Sequence, residues 1–206
     1  MARTFTALAW LLTLLILACI GLGFWSFFLP RDSELRNDVF IAHYILGLMT
    51  SISILFVHCL VFIYFLGTGR WVKEVTLAYK LDDAPNHKLT RDLKRRTFPP
   101  ALFSMLIGIA AAAAGAGVQL QAWPWHVHFA SALLTLAINL WAFRIEIRDV
   151  TRNAAVIEAV MADVNRVRAE QGLNSNEEAL AEEEADLALN HAIKPAAEGG
   201  GVKPTR

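Results

Sequence analysis

Four long apolar runs dominate the pattern of the chain, at 5–29, 39–66, 98–120 and 125–146. Each reaches or exceeds the ~20 residues that a helix needs to cross a hydrocarbon layer of ~30 Å. Charged residues collect in the connections and after the fourth run. The pattern therefore predicts an all-α fold, a four-helix transmembrane bundle over 1–147.

The helical pattern continues beyond the fourth run, which predicts a cytoplasmic helical extension of that helix over 148–172. Alternating spacings of three and four residues along it form a short heptad seam. The seam consists of Val150, Asn153, Ile157, Val160, Val164 and Val167. We expect the segment 150–167 to pack against another copy of the chain, a partner subunit or a loop of its own.

The remaining segment, 173–206, is predicted to be an acidic helix followed by a disordered tail. Gly172 ends the preceding helix, and Ser175 with Glu178 has the spacing of a capping box. The acidic residues that follow indicate a solvated face. The Gly/Pro/Lys-rich stretch from Ala196 onward predicts the disorder.

Lysines and arginines set the expected orientation. The loop 67–97 carries eight of them: Arg70, Lys73, Lys80, Lys88, Arg91, Lys94, Arg95 and Arg96. The connection after the third run carries none, so the positive-inside rule places both termini and this loop in the cytoplasm. We expect a multi-pass integral membrane protein of a bacterial inner membrane.

Two short motifs in and after this loop suggest local structure. "RWVKEVTLAYKL", beginning at Arg70, has apolar residues at helical spacing and is predicted to lie along the membrane surface, with its cations on anionic lipid. "TFPPA", beginning at Thr97, predicts the start of the third helix, with a threonine cap and prolines in the first turn.

Composition excludes several function classes. The formal net charge is zero, and the basic loop is a topology signal, so nucleic-acid binding is not expected. The two cysteines, Cys19 and Cys59, fall inside predicted spans and give no disulfide framework. They are interpreted as small packing residues.

Four histidines lie in the predicted spans, where polar groups are costly and call for an explanation. His43 and His58 are on the second helix, and His126 and His128 begin the fourth. Helices two and four run parallel, and His43 and His128 lie about five and four residues into their spans, so they share one depth. Both belong to stripes of small and polar residues, which predicts that they face each other inside the bundle.

Two opposed imidazoles on parallel helices suit a b-type haem, in which each ring supplies one axial nitrogen. Gly47 lies one turn from His43, and the small-residue run of the third helix brings Gly115 to a similar depth. We therefore predict a haem b site with His43 and His128 as axial ligands and Gly47 and Gly115 making room.

This arrangement is similar in kind to the small membrane cytochromes b, in which histidines on a four-helix bundle hold haem. The resemblance is architectural, and the lack of a second clear histidine pair departs from the two-haem members. It implies an electron-transfer subunit that exchanges electrons with a quinone or a redox protein and performs no substrate chemistry itself.

Alternatives remain open at this point. The two histidines could simply hydrogen-bond each other, or serines and threonines, and so link two helices, or they could handle protons. His43, His126 and His128 could bind copper or zinc if the start of the fourth helix is unwound. The chain could also be a non-catalytic scaffold or assembly subunit of a larger membrane complex.

His58 is a separate question, because it lies about 22 Å below His43 on nearly the same face. A second haem there would need a methionine ligand such as Met105, and Arg144 could neutralise a propionate. A hydrogen-bonded or proton-relaying His58 is the favoured interpretation.

Overall fold

The computed structural model describes residues 2–84 and 86–198 of the chain. Over these residues the protein consists of five helices: α1 (Ala2–Phe28), α2 (Glu34–Ala78), α3 (His87–Gln119), α4 (Trp125–Glu170) and α5 (Asn176–Glu198). The described part contains no strand. The first four helices are long and apolar enough to cross a membrane, so the predicted all-α bundle is confirmed.

The chain divides into two compact units, Met1–Glu158 and Ala159–Arg206. The first unit holds the bundle of α1, α2, α3 and the larger part of α4. Its core includes Leu12 of α1, Phe65 of α2, Leu93 of α3 and Phe143 of α4, all of them buried. All the sites discussed below lie in this unit.

Helix α2 is longer than predicted, because its membrane-spanning part continues without a break to Ala78. Val72 and Thr76 of that continuation are buried. The helical spacing predicted for "RWVKEVTLAYKL" is therefore confirmed, whereas its expected position along the membrane surface is wrong, because the segment continues α2. A left-handed residue, Lys80, ends the helix with φ of 54°, and Leu81 donates back to the carbonyl of Thr76 at 2.9 Å.

Helix α3 begins ten residues before the predicted start, at His87, so the helix start assigned to "TFPPA" is wrong. Pro99 and Pro100 lie inside the helix, although a proline cannot donate to the carbonyl four residues earlier. Tertiary contacts hold this turn. The hydroxyl of Thr97 donates to Asp149 of α4 at 3.1 Å, and Phe98 packs on Phe62 with ring centroids 4.3 Å apart.

Helix α4 is one continuous helix, so the fourth span and the residues 148–170 are not separated. The first part of the seam packs on α2: Asn153 donates to the hydroxyls of Tyr64 at 3.2 Å and Thr68 at 3.0 Å. In the second unit Val160 and Val164 are buried. Binding of a partner through 150–167 stays a prediction.

The capping box at the start of α5 is confirmed. The amide of Ser175 donates to the Glu178 carboxylate at 3.0 Å, and the amide of Glu178 donates to the Ser175 hydroxyl at 3.3 Å. The bond from the Ser175 amide and one from the Ser175 hydroxyl, also at 3.0 Å, stabilise the ionised carboxylate and hold the pKa of Glu178 below its ordinary value. Helix α5 reaches Glu198, three residues into the predicted tail, and 199–206 lie outside the described residues.

Candidate functional site: a two-histidine cavity

His43 of α2 and His128 of α4 meet inside the bundle. Their ring centroids are 5.9 Å apart, and the ring planes make an angle of 74°. The two helices contact each other in the same residue order further along, at His58 with Glu146 and at Thr68 with Asn153. They are therefore parallel, and the predicted meeting of the two rings is confirmed.

Each of the two rings is oriented by a backbone carbonyl of another helix, which is α1 for His43 and α3 for His128. Nδ1 of His43 lies 3.0 Å from the carbonyl oxygen of Cys19 in α1, and Nδ1 of His128 lies 3.0 Å from that of Ala111 in α3. A carbonyl oxygen only accepts, so each Nδ1 carries the hydrogen and donates it. The lone pair of each neutral imidazole is then on Nε2, the arrangement found in histidines that bind metals.

The separation of the rings suits one metal ion between them. Two metal–nitrogen bonds of about 2 Å each, with about 1.2 Å from each nitrogen to its ring centroid, give a centroid separation of at most about 6.4 Å. The observed 5.9 Å lies just within this limit. Direct contact between the rings is not what sets their distance, because each ring is already fixed by its own carbonyl bond.

Glycines let the two imidazoles lie directly against helix backbones. A Cβ atom on Gly23 of α1 would lie 2.9 Å from Cε1 of His43, and one on Gly115 of α3 would lie 3.0 Å from Cε1 of His128. Gly115 is thus in the predicted site, where it makes room for the histidine ring itself. Gly23 was missed, because its place depends on how α1 packs on α2.

A cavity of about 500 Å³ adjoins the two rings and is lined by residues of α1, α2, α3 and α4. Ligand pockets in proteins commonly have volumes of about 300–1,000 Å³. The predicted residue Gly47 lines it, together with Cys19, whose Sγ lies 3.7 Å from Nδ1 of His43. We call the cavity and the residues His43, His128, Cys19, Gly47 and Gly115 the two-histidine cavity.

The shape of this cavity follows from the packing of α2 on α3. The two helices are in close contact at Gly108, where an added Cβ would lie 3.2 Å from the side chain of Ile54. Both residues line the inner end of the cavity. The opposite end is lined by Phe40, Gln119 and Leu120, next to the ends of the helices, so a flat ligand could reach water there with its polar edge.

The structure does not form the alternative three-histidine metal site. α4 is helical from Trp125, and residues two apart on a helix point about 200° from each other. His126 is accordingly exposed, while His128 faces inward and is half-buried. Among the described residues no group of three or more His, Cys, Asp or Glu side chains is arranged to hold a metal ion.

The possible second haem site at His58 is not formed either. His58 is fully buried and uses both ring nitrogens: Nδ1 lies 2.8 Å from a carboxylate oxygen of Glu146, and Nε2 lies 3.0 Å from Oδ1 of Asn139. Met105 instead contacts Cys59 with its sulfur atom, and Arg144 is exposed. With no ring nitrogen available, His58 cannot be an axial ligand in this conformation.

Sequence reasoning missed two buried acids of α4, Glu146 and Asp149, both fully buried. Asp149 forms a two-pronged ion pair with Arg96 of α3, with distances of 3.0 and 2.6 Å, and a further bond with Arg148. The sequence did contain a signal for Glu146. It lies seven residues, or about two helical turns, from both Asn139 and Asn153, so the three polar residues share one face of α4. Its position at the end of the apolar run made it resemble an interfacial residue.

No protein-family profile, curated protein sequence or solved structure matches this chain. The function of the protein is therefore inferred from the site itself.

Proposed function

We propose that the protein is an integral membrane electron-transfer subunit that binds one haem b between His43 and His128. The observation that carries the proposal is the pair of inward imidazoles with centroids 5.9 Å apart, each with its Nδ1 on a backbone carbonyl. Two facing imidazoles that each keep a hydrogen on Nδ1 and leave Nε2 available are suited to hold a haem iron. Haem would supply one-electron transfer, and the protein would supply binding and orientation.

The other features of the cavity fit the same group. Gly23 and Gly115 admit the rings, and the volume of about 500 Å³ provides room beside them. Its lining is mostly apolar, as expected for a porphyrin site, while the end near Gln119 lies next to the helix ends and would take the charged edge of the ring. The site would exchange electrons with a quinone or a partner redox protein.

The proposal includes an orientation. The basic residues between 70 and 96, at the adjoining ends of α2 and α3 and in the turn between them, would face the cytoplasm together with both termini. The two-histidine cavity lies at the other end of the spans, so haem would lie near the non-cytoplasmic surface of a bacterial inner membrane. Fusion of a reporter that is active on one side only, placed after Gln121, would test this orientation.

An absorption spectrum of the full chain, produced with an adequate haem supply and purified in detergent, tests the function. We expect a Soret band that shifts on reduction with dithionite. His43→Ala or His128→Ala should abolish it, and the matched control His126→Ala, at an exposed histidine, should leave it unchanged.

A colourless preparation would overturn the proposal. If that preparation also purified with other membrane subunits, the scaffold function would replace it. Stoichiometric copper or zinc in place of haem, lost in His128→Ala, would instead assign the pair of histidines to a simple metal ion.

A further inference from the structure

A buried polar cluster lies further along α2 and α4, about 22 Å from His43 by helix rise. It consists of His58, Asn139 and Glu146, which we call the His58 cluster. Each of the three side chains is at most 1% exposed. The haem proposal gives this cluster no role, although burying a carboxyl group beside an imidazole is costly.

The hydrogen bonds of Asn139 fix one proton of the cluster. Its Nδ2 donates to the carbonyl of Thr135 at 2.8 Å, so its Oδ1 is the atom 3.0 Å from Nε2 of His58. An amide oxygen only accepts. Nε2 of His58 therefore carries a hydrogen.

The other ring nitrogen then decides the charge of the pair. Nδ1 of His58 lies 2.8 Å from Oε1 of Glu146. A bare Nδ1 and a bare carboxylate are both acceptors and would repel each other at that distance. A second proton must lie between them, as an imidazolium with a carboxylate or as a neutral imidazole with a protonated carboxyl.

Comparison with Asp149, one turn further along α4, shows how unusual this pair is. Asp149 has a permanent cation, because Arg96 of α3 binds it with two hydrogen bonds. Glu146 has no lysine or arginine within ion-pair distance among the described residues, and its only cationic partner is His58. The shared proton is thus the only countercharge of Glu146.

Among the described residues, no other ionisable side chain forms a hydrogen bond or ion pair with His58 or Glu146. The buried core of the bundle includes Phe5 and Ala9 of α1 and Val57 and Val61 of α2. On α4 the ring of Phe143 stacks on His58 at 5.4 Å. α3 reaches this region with Arg96 and Thr97, which are both bonded to Asp149.

The second carboxyl oxygen of Glu146, Oε2, is the atom through which the pair can exchange its shared proton with a neighbouring group. Oε2 is buried and has no hydrogen-bond partner among the described residues, and the same is true of Oδ1 of Asn153, two turns further along the same face. Two buried acceptors on one face need donors, and buried water commonly supplies them. Asn153 in turn is bonded to Tyr64 and Thr68, which lie towards the basic end of the bundle.

We propose that the His58–Glu146 pair is a proton-binding site that exchanges its proton with the basic end of the bundle through Oε2 of Glu146. On release, the shared proton moves fully onto the carboxyl group of Glu146, which rotates so that its Oε2 side passes the proton to buried water. Nε2 keeps its hydrogen, the bare Nδ1 and the carboxylate move apart, and the pair changes from neutral to a single negative charge. On uptake the same proton returns and the charge is restored. The site itself does not depend on haem.

Infrared difference spectroscopy of the full chain in lipid nanodiscs tests the proposal. We expect a pH jump to produce a difference band of a buried glutamate, from its carboxyl group if the shared proton is on Oε1 or from its carboxylate if that proton is on Nδ1. The band should move in wild-type protein whose glutamate is labelled with 13C, which distinguishes glutamate from aspartate without any substitution. Glu146→Gln should abolish it.

Exposed Glu158→Gln serves as the matched control and should keep the band. If wild-type protein shows no such band over the pH range in which circular dichroism finds the helices intact, the pair is a fixed structural pair and the proposal is wrong. A band that survives Glu146→Gln would assign it to another acid and equally overturn the proposal. Neither result would alter the Soret band that tests the haem proposal.

Discussion

The two-histidine cavity and the His58 cluster place the same residue type on the same helix, α2, in two opposite environments. In the cavity each imidazole is half-buried and donates one hydrogen bond to a backbone carbonyl, which leaves one nitrogen available. In the cluster the imidazole is fully buried and both of its nitrogens are bonded to side chains. One environment has space for a ligand beside the ring, and in the other the ring is enclosed by side chains.

The difference shows that the partner atoms of a histidine, more than its depth, determine what it can do. A carbonyl oxygen only accepts, so it keeps a hydrogen of His43 and of His128 on Nδ1 and leaves Nε2 as the nitrogen that can bind a metal ion. A carboxyl group can take up or lose a proton, so Glu146 ties the charge of His58 to its own. The His43–His128 pair is suited to binding an electron-carrying cofactor, and the His58–Glu146 pair is suited to binding a proton.

The largest expected effect is on stability in the cluster. His58→Leu leaves the carboxyl group of Glu146 and the amide of Asn139 buried without their partner, which should lower the free energy of unfolding by about 3–5 kcal/mol. His58→Leu combined with Glu146→Leu should recover most of this loss, because it removes both polar partners. Unfolding in sodium dodecyl sulfate, followed by circular dichroism, measures both variants. A double variant as unstable as the single one would contradict the assigned pairing.

The next effect concerns the glycines of the two-histidine cavity. Gly115→Ala places a Cβ 3.0 Å from the His128 ring, and displacing that ring should cost about 1–3 kcal/mol, or roughly 5- to 150-fold in the dissociation constant for haem. Gly21→Ala is the matched control, because a Cβ there has nothing within 4 Å. Haem titration of the cofactor-free protein measures both, and equal affinities would show that Gly115 does not position the ring.

A smaller effect separates the structural role of the cavity histidines from their ligand role. In haem-free protein His43→Leu removes one hydrogen bond, to the Cys19 carbonyl, so the free energy of unfolding should fall by only about 0.5–1.5 kcal/mol. The same measurement in sodium dodecyl sulfate applies. A loss as large as that of His58→Leu would mean that the cavity histidines act mainly as structural links between helices.

The smallest expected effect is a shift in the midpoint potential of haem caused by the charge of the His58 cluster. It depends on both the haem proposal and the proton-binding proposal. A charge ~22 Å from the cavity contributes about 0.8 kcal/mol at an effective dielectric constant of ~20, or about 30 mV for one electron. Glu146→Gln removes the negative charge of the deprotonated pair, so the midpoint potential of haem should rise by that amount at high pH and not at low pH. Redox titration at two pH values measures this. A fall in potential would contradict the assigned charge.

The local sequence pattern predicted several features correctly, because each of them depends on only a few residues. Length and apolarity fix the four spans, and the constant rise of a helix sets the depth of His43 and His128. The capping box of Ser175 and Glu178 closes within three residues. By contrast, the start of α3 at His87 was missed, since the contacts that retain Pro99 and Pro100 inside the helix come from Asp149 and Phe62, far away in the chain.

The amino-acid sequence by itself determined that this chain forms four apolar helices and that two histidines turn towards each other at one depth. Only the tertiary structure decided which ring nitrogens are free, because Cys19 and Glu146 reach their histidines from 24 and 88 residues away. Hydrogen bonds act over about 3 Å, and helical periodicity specifies a face without specifying which atom of another helix lies against it. The chemistry of each histidine is therefore set by helix packing.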